Sequence, residues 1–288
     1  MWDALEAGVL PALQEVVVAE IDTGYVADSG GNPHADLEGN LLVSDGYDFI
    51  RDLRVSADAD GIDSDASDQG DGTAICGSAA QDHTWRGTAV AGIIAAESHN
   101  GTLVAGMSWP WPHAGRRQST SCRCAVLGVR GGSSYDIAQG IRYVAGLEND
   151  SGTSPSAPAK VLNMSFGGPG ADAVIEKALR EAVAAGAIPV AASGNFDTAV
   201  FAPANSRYAI AVGAAVAAGS RATFSNFGAS LDLVAAGDDV LVLTAAQSCP
   251  AVCSWVGMAE PQDGTSFATP HVAAALALVA AIDARPDV

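Results

Sequence analysis

The chain has 288 residues, 49% of them apolar and 16% charged, enough for a sizeable core and unlike a disordered or fibrous protein. Fourteen basic against 33 acidic residues leave a formal net charge of −19, which disfavours nucleic acid and anionic membrane surfaces as partners. The longest apolar run, 272–282, has 11 residues, short of the roughly 18 a membrane-spanning helix needs. Met1 is followed by Trp2 and Asp3 rather than by a basic and then an apolar stretch, so no signal peptide is read. The expectation is a cytoplasmic protein or a mature domain.

In chain order, the first predicted strand is Val16-Val17-Val18-Ala19-Glu20-Ile21, ending in the turn residues Asp22-Thr23-Gly24. Further strands are predicted at 125–129, 160–164, 187–191, 209–212 and 231–235, with helices at 88–96, 135–144 and 172–185 between them. In the last helix the apolar stripe is read as Val174, Ala178, Leu179, Ala182 and Val183. Short apolar strands alternating with helices predict an α/β three-layer sandwich, a mostly parallel central sheet flanked by helices. With no internal repeat or linker, one domain over 1–288 is expected, its core at about 15–282. Functional groups gather beyond the carboxyl ends of such strands, and Asp22 stands at one.

The five cysteines, Cys76, Cys122, Cys124, Cys249 and Cys253, have no zinc-ligand spacing and are read as disulfide formers in an oxidising compartment. Cys249 would pair with Cys253, and Cys76 with either Cys122 or Cys124.

Gly264-Thr265-Ser266-Phe267-Ala268-Thr269-Pro270 opens an apolar helix of small residues. A serine there is ordinarily a cap, but that helix end also favours negative charge, which a tetrahedral oxyanion requires. The segment resembles the nucleophile signature of the subtilisin-like serine proteases. Val18 to Gly24 is similar to that family's acid motif, and Ala191-Ala192-Ser193-Gly194-Asn195 to its oxyanion-asparagine strand. Asn163 to Gly168 and Val129-Arg130-Gly131-Gly132-Ser133 resemble the two segments lining the substrate groove. The resemblance implies a serine endopeptidase with Ser266 as nucleophile, Asp22 as the orienting acid, and Asn195 with the Ser266 N–H as oxyanion donors. It also implies an extended peptide as partner, held by Gly131, Gly132, Ser133, Ser165, Phe166 and Gly167. Secretion and an N-terminal prosegment that assists folding follow from the same likeness.

The family's base motif reads His-Gly-Thr-His-Val-Ala-Gly, whereas this chain reads Arg86-Gly87-Thr88-Ala89-Val90-Ala91-Gly92. Arginine stays protonated and has no acceptor lone pair, so Arg86 cannot take the proton from Ser266. The expectation is a folded but catalytically crippled protease, with Arg86 neutralising Asp22; the alternative is a pseudoprotease that only binds peptides. His83 is the other base to be weighed. The acidic run Asp58, Asp60, Asp63, Asp65, Asp68, Asp71 is read as a calcium site, with Asp60, Asp63, Asp65 and Asp71 as ligands. The specificity pocket is expected between 165–168 and 191–195.

Overall fold

The computed structural model describes residues 15–28, 31–56, 60–68, 84–108, 119–128, 131–248 and 254–283. Among them, β1 (Val16–Asp22), β2 (Tyr47–Asp48), β3 (Ser119–Ala125), β4 (Val161–Met164), β5 (Ile188–Ala192), β6 (Ile210–Ala215) and β7 (Leu233–Ala236) form one sheet in the order β2-β3-β1-β4-β5-β6-β7. Every neighbouring pair in it is parallel. The helices are α1 (Leu53–Ser56), α2 (Arg86–Ala95), α3 (Ser134–Val144), α4 (Ala173–Ala184) and α5 (Thr265–Asp283).

The central strands read as unbroken apolar runs because both faces of the sheet are covered. Val16 and Val18 of β1 join one core with Ile94 of α2 and Ala268, Val272 and Ala277 of α5. Ala19 and Ile21, one residue out of phase, join the opposite core with Ile141 of α3 and Leu179 of α4. The same alternation splits Val161 from Leu162 and Val190 from Ala191. The layered α/β arrangement is the one predicted.

Three local readings need correction. The strand expected at 125–129 lies earlier, at Ser119–Ala125, despite its polar letters; the apolar stretch after it leaves the sheet, with Val126 and Leu127 donating to the Asp22 carbonyl at 3.0 and 3.2 Å. The buried stripe of α4 is Ile175, Ala178, Leu179 and Ala182, an i, i+3, i+4, i+7 pattern, while Val174 and Val183 are exposed. An antiparallel hairpin, β8 (Val240–Ser248) with β9 (Ser254–Gln262), was not predicted at all.

The helix α5 is apolar over a longer span than the 11-residue run, since small polar residues fit its interior face. Thr265–Ile282 is long and apolar enough to cross a membrane by length and composition alone, yet 67% of it is buried within the fold, as in a core helix. His271 on this helix is half-buried, its Nδ1 at 2.8 Å from the Phe267 carbonyl, so Nδ1 carries the proton in the neutral ring. Burial pushes the imidazole below its ordinary value of 6.5, and the carbonyl opposes this only in part. As pH falls through about 6.5 the unfolded chain takes up this proton first, so the stability His271 confers is complete above that pH and is lost below it. The apparent melting temperature is therefore expected to fall from pH 7 to pH 5, and less steeply in His271→Gln; equal slopes would remove His271 from the account.

Candidate active site

Asp22 closes β1 and is 1% exposed, its Oδ1 accepting from the Thr23 N–H at 2.9 Å. The helix α2 starts against the same turn. The Gly87 N–H donates to Thr23 Oγ1 at 3.1 Å, and that hydroxyl donates to Asp68 Oδ2 at 2.8 Å. At the next residue, Thr88 Oγ1 accepts from the Val26 N–H at 2.8 Å. These bonds replace an ordinary cap: Trp85, at the N-cap, makes no capping bond and sits in the left-handed region with φ at 43°. Such a backbone costs an aromatic residue about 1–2 kcal/mol. Trp85 is held there by burial and by its indole N–H, which donates to the Ala245 carbonyl at 2.7 Å.

Ser266 is the second residue of α5. Its hydroxyl donates to the Ser165 carbonyl at 2.7 Å, and Ser165 Oγ donates back to the Ser266 carbonyl at 2.7 Å. Proline explains the second bond. In an α-helix the Ser266 carbonyl would accept from residue 270, but Pro270 has no N–H. Ser165 supplies the missing donor, and Asn163 Nδ2 in turn donates to Ser165 Oγ at 3.0 Å. Thus the 163–165 segment, read from sequence only as a groove wall, also fixes the serine.

Asn195 Oδ1 accepts from both the N–H (2.9 Å) and the hydroxyl (2.8 Å) of Thr265, while Thr265 Oγ1 accepts from the Gly194 N–H at 3.2 Å. The amide orientation is settled by this, because a backbone N–H can only donate. Among the described residues neither Asn195 Nδ2 nor the Ser266 N–H donates to a protein acceptor. Both donors stand at the serine. The role of Thr265 was not foreseen, although it lies within the recognised serine signature.

Arg86 opens α2 on the surface, its Nη1 donating to Ser266 Oγ at 3.3 Å. The expected ion pair with Asp22 is not formed. Among the described residues Arg86 makes no ion pair at all, because its guanidinium lies over the serine and the carboxylate turns back onto Thr23 N–H. His83 lies outside the described residues.

Gly131, Gly132, Phe166 and Gly167 meet around a cavity of about 340 Å³ floored by Leu127 and Ile175. Cβ atoms at Gly132 and Gly167 would lie 2.0 and 2.9 Å from backbone oxygens, so glycine is required for this close approach. Ala202 and Pro203 also line this cavity, whereas Ala191, Ala192 and Ser193 are buried, on the interior strand β5 and the residue that follows it. Ser133 caps α3, its Oγ accepting from the Asp136 N–H at 3.0 Å, a bond that leaves the hydroxyl hydrogen to donate elsewhere. The one carboxylate lining the cavity, Asp172, caps α4. The Ser134 hydroxyl, and then the N–H groups of Ile175 and Val174, hold its carboxyl below the usual range.

Asp63 Oδ1 accepts from the Asp65 N–H at 2.6 Å and Asp65 Oδ1 from the Ser67 N–H at 2.9 Å. Among the described residues no group of three or more His, Cys, Asp or Glu side chains is placed to hold a metal ion. Asp58 and Asp71 lie outside the described residues, as do Cys76, Cys249 and Cys253; Cys122 and Cys124 belong to β3.

A parallel sheet with an acid at the end of β1, a serine on the last core helix and an asparagine after β5 defines a subtilisin-like protease domain. The chain belongs to the Subtilase family, which it matches over residues 14–286. An extracellular protease of Xanthomonas campestris pv. campestris is 39% identical over 274 residues, covering 92% of this chain and 44% of that protein. The extracellular basic protease of Dichelobacter nodosus is 35% identical over 290 residues, covering 97% of this chain and 44% of its own length. The chain therefore spans less than half of these two relatives. Among solved structures, a protease from Pseudoalteromonas arctica PAMC 21717 matches with a TM-score of 0.80 at 36% identity, over 95% of this chain and 79% of that one.

Proposed function

We propose that this chain is the serine endopeptidase domain of a secreted subtilase, disarmed because Arg86 stands where the family places its base. One observation carries the reading: among the described residues, the side-chain nitrogen reaching Ser266 Oγ, at 3.3 Å, belongs to a guanidinium. That group donates to the hydroxyl and cannot accept its proton. The remaining parts support peptide chemistry. Ser266 is positioned by Ser165, the oxyanion would be met by Asn195 Nδ2 and the Ser266 N–H, and glycines at 131, 132 and 167 leave room for an extended peptide. With the base present, Ser266 would attack the scissile carbonyl, the base would carry its proton to the leaving amine, and water would release the acyl group. Without it, the same groove can bind peptides and not turn them over, which is the second reading. Hydrolysis of fluorogenic peptides by the chain as it stands, by Arg86→His and by Arg86→His/Ser266→Ala separates these cases. If the unmodified chain cleaves as fast as Arg86→His, another group is the base and the proposal fails.

Secretion is inferred from two relatives, both extracellular proteases. A single peptidase domain and an assisting prosegment belong to the same proposal. Calcium is a further part of it: among the described residues Asp63 and Asp65 each keep one carboxylate oxygen that accepts no N–H, and an ion would need Asp60 and Asp71 as well. If such an ion is bound at a hundred times its dissociation constant, chelation removes about 2.7 kcal/mol. The apparent melting temperature should then drop by roughly 5–10 °C with EDTA and recover with calcium. No change on chelation would dismiss the ion.

A further inference from the structure

We propose that Arg86 turns the serine site into a receptor for the C-terminal carboxylate of a bound peptide. The inference rests on the peptide-groove reading above and adds the chemical group that the site selects. Three donors belong to Ser266 or to residues hydrogen-bonded to it or to its neighbour Thr265. Asn195 Nδ2 and the Ser266 N–H have no protein acceptor among the described residues, and the Arg86 guanidinium is exposed with Ser266 Oγ as its hydrogen-bond partner. A neutral scissile carbonyl would use only the first two. A carboxylate has a second oxygen, and a planar guanidinium fork is suited to meet it.

The surrounding charges leave Arg86 available. Asp22 is buried and held by the Thr23 N–H. Glu260 lines the same cavity of about 290 Å³ as Arg86, but it accepts from Gln262 Nε2 at 2.7 Å and forms no ion pair with the guanidinium. Local cationic charge is thus retained on a chain whose net charge is −19. The first turn of α5 adds the favourable end of a helix dipole, though the two side chains carry the selectivity. Capture of a terminal carboxylate by N–H donors is a known way of reading a peptide end.

The test compares one fluorescently N-capped tetrapeptide of alanine and leucine as free acid and as C-terminal amide, by anisotropy at pH 8 and low salt. Mass spectrometry checks that the probes stay intact. The acid is expected to bind about tenfold more tightly than the amide. Raising the salt should shrink the difference, because Arg86 is exposed. In Arg86→Gln the acid should fall to the affinity of the amide, while the amide is unaffected. Equal binding of acid and amide to the unmodified chain overturns the carboxylate receptor and leaves the groove reading standing. A preference that survives Arg86→Gln also overturns it. If neither probe binds, both readings fall.

Discussion

Replacing Arg86 by histidine is expected to raise peptide hydrolysis by at least about a thousandfold. The scale comes from what the base does: its loss from subtilisin costs about a millionfold in kcat, and the remaining site retains roughly a thousandfold over water. Recovery of the whole factor would require that the new imidazole reach Ser266 Oγ in line with Asp22. Arg86 Nη1 lies 3.3 Å from the hydroxyl, so position 86 faces the serine, and the shorter imidazole meets the first condition only if Ser266 and the start of α2 draw closer. The second requires the ring to turn toward the carboxylate that Arg86 leaves facing Thr23. The serine must also release the Ser165 carbonyl, to which its proton is now donated at 2.7 Å. The pH profile separates this mechanism from incidental activity. With an imidazole base, kcat/KM should rise through roughly pH 6.5, where histidine loses its proton, whereas any activity of the unmodified chain should lack that limb. A histidine variant no faster than the arginine chain would show that the site is silenced elsewhere.

Gly87→Ala should cost about 3 kcal/mol of stability, although alanine is the better helix former by about 1 kcal/mol. The reason is contact rather than propensity. A Cβ at 87 would lie 2.0 Å from the Gly24 carbonyl oxygen, and the atoms it meets are backbone. Gly24 cannot retreat, because its own Cβ direction is blocked by the Ala66 carbonyl at 2.3 Å and its φ is +97°. The start of α2 would have to lift away from the Asp22 turn, breaking the bond from the Gly87 N–H to Thr23. A fall of about 6–12 °C in apparent melting temperature is expected. In the Arg86→His background the same change should also lower kcat, because residue 86 moves with the helix. A variant as stable as the parent would mean that the turn and helix can separate freely.

Much of this site could be read from letters because its parts are local motifs at strand and helix ends. Asp22 follows an apolar run, Asn195 follows another, and Ser266 opens a helix whose small residues are unmistakable. What could not be read is what crosses between segments. Whether Arg86 turns to Asp22 or to Ser266 depends on a few ångströms of approach between two helix starts. Ser165 as the donor to the Ser266 carbonyl follows only once Pro270 is known to lie on an unbroken helix. The β3 strand was misplaced because Ser119 to Cys124 lack an apolar run, yet their backbone pairs in register with all of β1. The β8–β9 hairpin escaped notice because its letters follow no clean alternation, and Leu241 and Met258 on it are exposed. In α4 the predicted stripe shares Ala178, Leu179 and Ala182 with the buried one but takes the exposed Val174 and Val183 and leaves out Ile175.

The acid lies on the first described strand and the nucleophile on the last described helix, with α5 packed beneath β1 through Val16, Val18, Ala268 and Val272. This places a demand on folding order. The helix that completes the core is made after almost everything it covers, and the contacts it closes span most of the chain. Such topologies fold slowly, since a large loop must be closed before its contacts are gained. A growing chain that has synthesised β1 through β9 still lacks both the serine and the core helix over one face of its sheet. Assembly of the serine site in this architecture therefore waits on the docking of α5, and a chain made only through β9 does not contain it.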